Sequence, residues 1–343
     1  MPKRLTAMVS RHGCSCKVRQ DDLERLLESA GLISPDELCD GQIGDDAVVR
    51  KLSEEVAIVE NVDIFTPIHD DPEIQGAIVA CNASNDVFAM GSTHLISLQA
   101  FLAIPPDLPE EITVGVLRGM DSFMKKFGSG VTGGQSISNP EPVFGGICLG
   151  LVHPTDIVYS RHAKPGDSVL LTKPLGIQPA MRSYRDLQDE KRDKLLENFD
   201  EPSLKRMQDN AVRIMTQSNL EIALAMKEIG VHAATDVTGF GLIGHAENVA
   251  SMSCVNIIFD TMPIISGTYE LAEFFGHKLA SGRAAETAGG MLVFLESSKA
   301  SDFIESLREK HLPCWHVGSV EKSNGLSSVR VTEDIEYIET DFP

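Results

Sequence analysis

The sequence predicts a mixed α/β or α+β protein with two domains. Its 343 residues exceed the usual length of a single domain. Strand-like apolar runs alternate with helix-like segments in both halves, and a polar, turn-rich stretch over residues 154–166 separates the halves. We therefore predict a flexible arm over residues 1–20, an N-terminal domain over residues 21–160 and a C-terminal domain over residues 161–343.

In the N-terminal half, hydrophobic periodicity indicates strands and helices in alternation. Asp71-Pro72 predicts a helix start, because an aspartate caps free backbone N–H groups and a proline fits the first helical turn. Gly31 predicts the end of the first helix. The predicted elements are helices over 21–30, from 71 onward and over 109–127, and strands over 47–49, 56–62, 94–104 and 142–152.

The C-terminal half continues this alternation. Residues 184–210 are dense in charge and predict a solvated helical region. A buried helix over residues 219–229 is expected to end at Gly230. The other predicted elements are strands over 168–172, 256–259, 291–296, 315–320 and 328–338, and a helix over 301–310.

The charge of the chain limits what it can bind. Its 50 acidic and 30 basic residues give a formal net charge of −20. This surplus argues against a nucleic acid partner and against an anionic membrane surface, because both require clustered basic residues. An anionic substrate is compatible with it only where local cations or metal ions receive that substrate.

The cysteines indicate a reducing compartment, because their number is odd and their spacing does not suggest a disulfide framework. The apolar stretch that follows the basic start is too short for a signal peptide. No apolar run reaches the roughly 18 residues of a membrane span. We expect a cytoplasmic protein. The cysteines are Cys14, Cys16, Cys39, Cys81, Cys148, Cys254 and Cys314.

The segment His12-Gly13-Cys14-Ser15-Cys16-Lys17 concentrates chemical groups that can react. A neighbouring cation favours the thiolate, which is the nucleophilic form of cysteine, so such a segment can hold or move a soft atom such as sulfur or selenium. Two other interpretations stay open. The segment could be a loose terminal tail, or a zinc site, although Cys39 offers no second ligand pair.

Four aspartates at strand ends, in turns or on a helix face predict a site for metal ions. Asn82, Asn85 and Asp86 share one face of a mostly apolar helix. That face either holds a buried carboxylate, which needs a partner such as a metal ion, or simply meets solvent. The four aspartates are Asp46, Asp63, Asp86 and Asp236.

Two glycine-rich turns allow the backbone to approach a phosphate closely. Residues 131–136 contain the pair Gly133-Gly134, and residues 234–245 lead from a strand through a glycine-rich turn into a helix. Neither matches a Walker loop or a Rossmann fingerprint. His245 is expected on the surface of that helix or at its cap.

Together these features favour a nucleotide polyphosphate held through magnesium ions, which prefer carboxylate and phosphate oxygens. Such ions would neutralise the charge that develops in phosphoryl transfer. The arm that carries Cys14 and Lys17 could then close over the terminal phosphate and exclude water.

The chain resembles the selenophosphate synthetase (selenide, water dikinase) family across nearly its whole length. The resemblance implies a two-domain PurM-like (AIR synthase-related) fold, with an N-terminal ATP-binding domain that dimerises through its sheet and a C-terminal α/β sandwich domain. It implies conversion of ATP, selenide and water to selenophosphate, AMP and phosphate, which supplies selenium for selenocysteine synthesis. The matching segments are residues 13–17, 45–48, 82–91, 133–134, 171–176 and 235–241.

The resemblance also implies roles for individual residues. Cys14 matches the catalytic cysteine and Lys17 the essential lysine, while Asp46, Asp86 and Asp236 match magnesium ligands. It further implies K⁺ as a second cofactor ion, a homodimer and a selenium-delivery protein as partner. The implied nucleotide-binding positions are Lys17, Ile43, Gly44, Asp45, Asp63, Asp86, Gly133, Gly134 and Gln135, of which the last three are expected to serve the partner subunit.

One segment departs from the family pattern, and two rival functions stay open. Glu286-Thr287-Ala288-Gly289-Gly290 stands where the family usually has Gln-Thr-Ser-Gly-Gly.

The first rival function is that of another ATP enzyme of the superfamily, such as aminoimidazole ribonucleotide synthetase or thiamine-monophosphate kinase. The Cys-x-Cys-Lys arm argues against it. The second is a regulatory paralogue without activity, against which the intact Cys14, Lys17 and aspartates argue.

Overall fold

The computed structural model describes residues 4–18, 20–31 and 45–343. It contains two sheets with helices packed against them, which confirms the predicted mixed fold. The first part of the described chain contains α1 (Gln20–Ser29), β1 (Val48–Lys51), β2 (Ala57–Phe65), α2 (Pro72–Ala89), β3 (His94–Ile104), α3 (Glu110–Lys125), β4 (Val131–Ser138) and β5 (Val143–Val152).

The second part begins after short 3-10 turns near residue 160. Its elements are β6 (Asp167–Leu171), α4 (Ile177–Asp186), α5 (Arg192–Leu196), α6 (Glu201–Thr216), α7 (Leu220–Ile229), β7 (Ala233–Asp236), α8 (Gly241–Ser253), β8 (Val255–Ile265), α9 (Thr268–Phe275), β9 (Met291–Glu296), α10 (Ala300–Glu309), β10 (Trp315–Lys322) and β11 (Ser328–Thr340).

The two sheets are mostly antiparallel. The N-terminal sheet has the order β1-β2-β5-β3-β4, in which only β3 and β4 run parallel. The C-terminal sheet has the order β11-β8-β10-β6-β9-β7, in which only β11 and β8 run parallel. Both sheets therefore bring together strands that are far apart in the chain.

The C-terminal sheet is buried on both faces. In β9, Leu292 and Phe294 join a core cluster with α8, whereas Met291, Val293 and Leu295 join a second cluster with α6, α7 and α10. Successive side chains of a strand point to opposite faces, so this split places helices on both sides of the sheet. Because both faces of β9 are buried, its sequence is a nearly continuous apolar run.

Helix α2 packs against elements of both domains. The Asp71 side chain accepts hydrogen bonds from the backbone N–H groups of Glu73 and Ile74, which confirms the predicted cap, worth about 1 kcal/mol. A Cβ at Gly76 would lie 2.0 Å from the carbonyl oxygen of Val116, so glycine lets α2 and α3 pack closely. Helix α2 contacts β2 and β5 on one side and α6, α7 and β7 on the other.

Three predictions of local structure are wrong. Residues 184–210 are not a solvated region, because Leu195 and Leu204 are buried there while the charged side chains occupy the outer face. Strand β2 continues past Asp63, which therefore lies inside a strand rather than at its end. The pair Gly133-Gly134 lies within the edge strand β4 and not in a turn.

None of the described helices has the length and apolar character needed to cross a membrane.

Candidate active site

The N-terminal arm is docked between the two domains. The backbone N–H of Gly13 donates to the carbonyl of Thr66 at 3.0 Å, at the end of β2. The N–H of Cys14 donates to Oγ1 of Thr287 in the C-terminal domain at 3.0 Å. Cys14 is 1% exposed, so these contacts remove the interpretation of this segment as a loose tail.

The Cys14 thiol is held by α2. Its Sγ donates to Oδ1 of Asn82 at 3.5 Å, and the same oxygen accepts the backbone N–H of Ala288 at 2.6 Å. Burial raises the pKa of Cys14 above its ordinary range, and the nearby Lys17 offsets only part of this effect. The neighbouring Lys17 favours the thiolate, as expected, but desolvation of the docked arm is the larger effect and favours the neutral thiol.

Lys17 forms an ion pair with Asp63, whose side chain is buried within β2. The distance from Nζ to Oδ1 is 2.8 Å. The other carboxylate oxygen of Asp63 accepts a hydrogen bond from the Asn82 amide. Burial opposes the charge of Lys17, yet Cys14, Asp63 and Asp86 together raise the pKa of Lys17 above its ordinary value. The arm thus places a permanent cation beside the acidic cluster.

Asp46 and Asp236 approach each other across the domain boundary, together with His245. Ligand atoms of the three residues lie within 4.8 Å of one another. Oδ1 of Asp46 accepts the Thr235 hydroxyl at 2.7 Å, but Oδ2 of Asp46 and Oδ2 of Asp236 are buried with no hydrogen-bond partner among the described residues. Burial raises the pKa of both carboxyl groups, that of Asp236 to about 6. This arrangement is unfavourable without a cation.

His245 lies inside the protein and not on the surface of α8. Its Nε2 accepts the backbone N–H of Thr238 at 3.1 Å, so the ring caps the glycine-rich turn that precedes α8. Burial lowers the pKa of His245 to about 3, which keeps the ring neutral with its proton on Nδ1. Neither ring nitrogen then offers a free lone pair, and the carboxylate oxygens are the open ligands of this group.

The polar face of α2 is buried against the C-terminal domain, so the solvent-face interpretation is wrong. Asn85 donates to the carbonyl of Gly289 at 3.3 Å and accepts from the Asn219 amide at 3.0 Å. The Asp86 carboxyl group lies close enough to that of Asp236 for the two to influence each other's pKa. Burial raises the pKa of Asp86, and the charges of Asp236 and Asp46 add to this effect. The predicted aspartates 46, 63, 86 and 236 therefore belong to one cluster.

The structure describes four of the remaining predicted nucleotide-binding residues. Asp45 accepts the backbone N–H of Ser160 at 2.9 Å and forms a buried ion pair with Arg161. Gly133, Gly134 and Gln135 are exposed on the edge strand β4, as a segment that serves another subunit would be. Ile43 and Gly44 lie outside the described residues. The roles of these positions stay predictions.

Two buried charged residues that were not among the predicted site residues hold the loop beneath Cys14. Nζ of Lys173 donates to the carbonyls of Ile214, Gln217 and Ala288 at 2.6–3.1 Å. Both carboxylate oxygens of Glu286 accept backbone N–H groups at the start of α4, each at 2.9 Å. A glutamine could accept at only one of its two terminal atoms, so the departure at this position suits the contact.

A cavity of about 340 Å³ opens onto the arm. Cys14, Lys17, Gly239 and Phe240 are among its lining residues. The cavity connects the reactive segment to the surface of the C-terminal domain. A small substrate can approach Cys14 from this side.

Comparison with known proteins identifies the family. Residues 44–152 match the N-terminal domain of AIR synthase related proteins, and residues 164–330 match their C-terminal domain. The chain is 38% identical to a selenide, water dikinase of Methanococcus maripaludis over 97% of this chain and 100% of the relative. The chain belongs to the selenide, water dikinase family. Selenide, water dikinase 2 of Drosophila melanogaster is 32% identical, over 98% and 96% of the two chains.

Solved structures show the same fold in more distant proteins. Thiamine monophosphate kinase from Aquifex aeolicus superposes with a TM-score of 0.68 at 16% identity, over 94% of this chain and 100% of that one. Hydrogenase maturation protein HypE in complex with ATP superposes with a TM-score of 0.65 at 17% identity, over 94% and 95%. The chain thus has the predicted PurM-like fold.

Proposed function

We propose that this protein is a selenide, water dikinase that converts ATP, selenide and water to selenophosphate, AMP and phosphate. The observation that carries the proposal is the cluster in which Cys14 and Lys17 meet carboxylates of both domains. The family relationship supports the same reaction. Neither rival function needs a thiol beside a lysine at this point.

We propose magnesium ions at Asp46, Asp86 and Asp236. The fit rests on the buried carboxylate oxygens of Asp46 and Asp236 that lack a hydrogen-bond partner. Oxygen ligands of this kind suit a hard divalent cation. When bound, such ions neutralise the charge of a polyphosphate and of the phosphoryl group in transfer. K⁺ is an expectation that rests on the family resemblance alone.

We propose ATP as the phosphoryl donor. The related HypE structure is described as a complex with ATP, which supports a nucleotide in this fold. We assign Asp45 and Asp63 to the binding of this nucleotide, together with residues 43–44, which lie outside the described residues. Gly133–Gln135 would contact the nucleotide of a partner subunit.

The protein groups then have distinct tasks. Lys17 offers its ammonium to the terminal phosphate, while Asp63 orients that ammonium through the 2.8 Å ion pair. The neutral thiol of Cys14 lies at the rim of the cavity, where it can hold selenide next to Lys17. Thr287 fixes the backbone of the arm, so the docked arm excludes water from the reacting groups.

We also propose a homodimer formed through the N-terminal sheet. Val48, Val62, Ile96 and Ile137 lie on its strands and are 52%, 60%, 37% and 44% exposed. A stripe of apolar side chains on a sheet that is otherwise well packed is typical of a protein interface. None of the six described cysteines forms a disulfide, which supports a cytoplasmic location. A selenium-delivery protein would reach Cys14 through the cavity.

The decisive experiment measures AMP formation from ATP with and without selenide, and identifies selenophosphate by ³¹P nuclear magnetic resonance. We expect AMP formation to require selenide in the wild-type protein and in Cys16→Ser, and to be lost in Cys14→Ser. Selenide-independent transfer of phosphate to another acceptor would favour a rival kinase. Absence of any ATP turnover would favour the regulatory paralogue.

A further inference from the structure

A second cavity, of about 270 Å³, borders the arm. It shares Arg11, Ser15, Gln178 and Ala285 with the cavity described above, but neither Cys14 nor Lys17 lines it. Four residues of the arm form one wall, namely Ser10, Arg11, His12 and Ser15, and helix α4 forms another. The proposed reaction makes no use of this space. We call it the basic cavity.

The charge of the basic cavity contrasts with that of the whole chain. None of the described residues that line it is acidic, although the sequence has 50 acidic and 30 basic residues. Asp186 lies behind the wall, where it accepts Nε of Arg182 at 2.9 Å and Nη2 of Arg185 at 3.2 Å. Asp186 thus faces both guanidinium groups, and Asp189 also acts on the charge of Arg185. The basic lining residues are Arg11, His12, Arg182, Arg185 and His277.

Burial lowers the pKa of both histidines of the cavity, which favours their neutral forms. His12 accepts Nη1 of Arg185 on its Nδ1 at 2.6 Å and donates from Nε2 to the carbonyl of Thr6 at 2.8 Å. Nδ1 of His277 is buried without a hydrogen-bond partner among the described residues. Burial, with the charges of Arg182 and Arg185, lowers the pKa of His277 to about 4. An anion would offset this positive field and give His277 a partner.

We infer that the basic cavity binds a phosphate-class oxyanion through Arg182, Arg185 and His277. The planar guanidinium group matches two oxygens of a tetrahedral anion, which a halide or a soft selenide ion cannot offer. The oxyanion is either free inorganic phosphate or the phosphoryl group of a larger molecule. Because Arg11 and Ser15 belong to the arm, a bound oxyanion links the arm to α4 and stabilises its docked position. The inference does not depend on the proposed function.

The test measures binding to the full chain in phosphate-free buffer with a chelator and without nucleotide or selenide. Isothermal titration with inorganic phosphate and with phenyl phosphate separates the two sources, and sulfate and chloride serve as competitors. Arg182→Gln removes a positive charge from the cavity. Gln178→Glu adds a negative charge there, and it keeps an oxygen that can accept the N–H of Ala285, as Oε1 of Gln178 does at 3.1 Å. Arg206→Gln and Gln188→Glu make the same charge changes at exposed positions outside the cavity.

We expect phosphate or phenyl phosphate to bind, sulfate to compete and chloride not to compete. Loss of a charge-assisted contact should weaken binding about tenfold or more in Arg182→Gln and in Gln178→Glu, and leave the two control variants unchanged. Binding of phenyl phosphate alone would identify a phosphoryl group of a larger ligand. The inference is overturned if neither ligand binds, or if both cavity variants bind as the wild type does. Loss of binding in Lys17→Gln but not in Arg182→Gln would overturn it as well, since the anion would then lie at the active site.

Discussion

The ion pair between Lys17 and Asp63 allows a direct measurement of how firmly the arm is held. Its nitrogen–oxygen distance is 2.8 Å, and the two side chains are 31% and 4% exposed. Lys51 and Glu54 form a pair at the same 2.8 Å, with side chains that are 51% and 91% exposed. The two pairs have the same nitrogen–oxygen distance but differ strongly in burial, so the pair Lys51–Glu54 serves as an exposed reference.

Lys17→Met removes the ammonium group and leaves the Asn82 amide as the described partner of Asp63. Breaking a fully buried ion pair costs about 3–5 kcal/mol, and the partial exposure of Lys17 reduces our expectation to about 2 kcal/mol. For a chain of 343 residues, an unfolding entropy of about 0.7 kcal/mol per kelvin converts this loss to a fall in Tm of about 3 °C.

The assay is a double-mutant cycle with Asp63→Asn, read by urea unfolding. We expect a coupling free energy of about 2 kcal/mol for Lys17 and Asp63, and less than about 0.5 kcal/mol for Lys51→Met combined with Glu54→Gln. Selenide-dependent AMP formation should disappear in Lys17→Met. Equal coupling in the two pairs would refute the reasoning that burial of Asp63 makes the contact strong.

Three further changes test the site. Burial raises the pKa of Asp236 to about 6, so the stability of the wild type falls as the pH rises from about 4 to 6. Asp236→Asn should therefore raise the Tm measured in chelator at pH 8 by an amount that corresponds to about 3 kcal/mol. An unchanged Tm at pH 8 would contradict this. Burial likewise raises the pKa of Glu286 to about 8, so the Tm of the wild type should fall more steeply between pH 5 and 8 than that of Glu286→Gln, and parallel curves would exclude this cause. A Cβ at Gly239 would lie 2.9 Å from the carbonyl oxygen of Cys14, so Gly239→Ala should lift the arm and speed alkylation of Cys14 as measured by mass spectrometry. Gly133→Ala, which meets no atom within 4 Å, should leave that rate unchanged; equal rates in both variants would show that the turn does not hold the arm.

Local pattern predicted much of the fold. The predicted strands over residues 94–104 and 291–296 have the bounds found in the structure, and the cap at Asp71 holds the start of α2. These features depend on neighbours within a few residues, which a sequence displays directly. The region 184–210 was misjudged because charge density alone does not reveal the apolar residues on the opposite helix face.

The sequence by itself determined the residue types of the site, the unusual arm and the family to which they belong. The tertiary structure decided which acids meet and in which protonation state they and Cys14 stand. Cys14 depends on Thr287, 273 residues away, and Asp46 depends on Thr235, 189 residues away. Desolvation and pairing act through space, so burial raises the pKa of Cys14 and the nearby, partly exposed Lys17 offsets only part of this effect. The basic cavity likewise exists only because α4 folds against the arm.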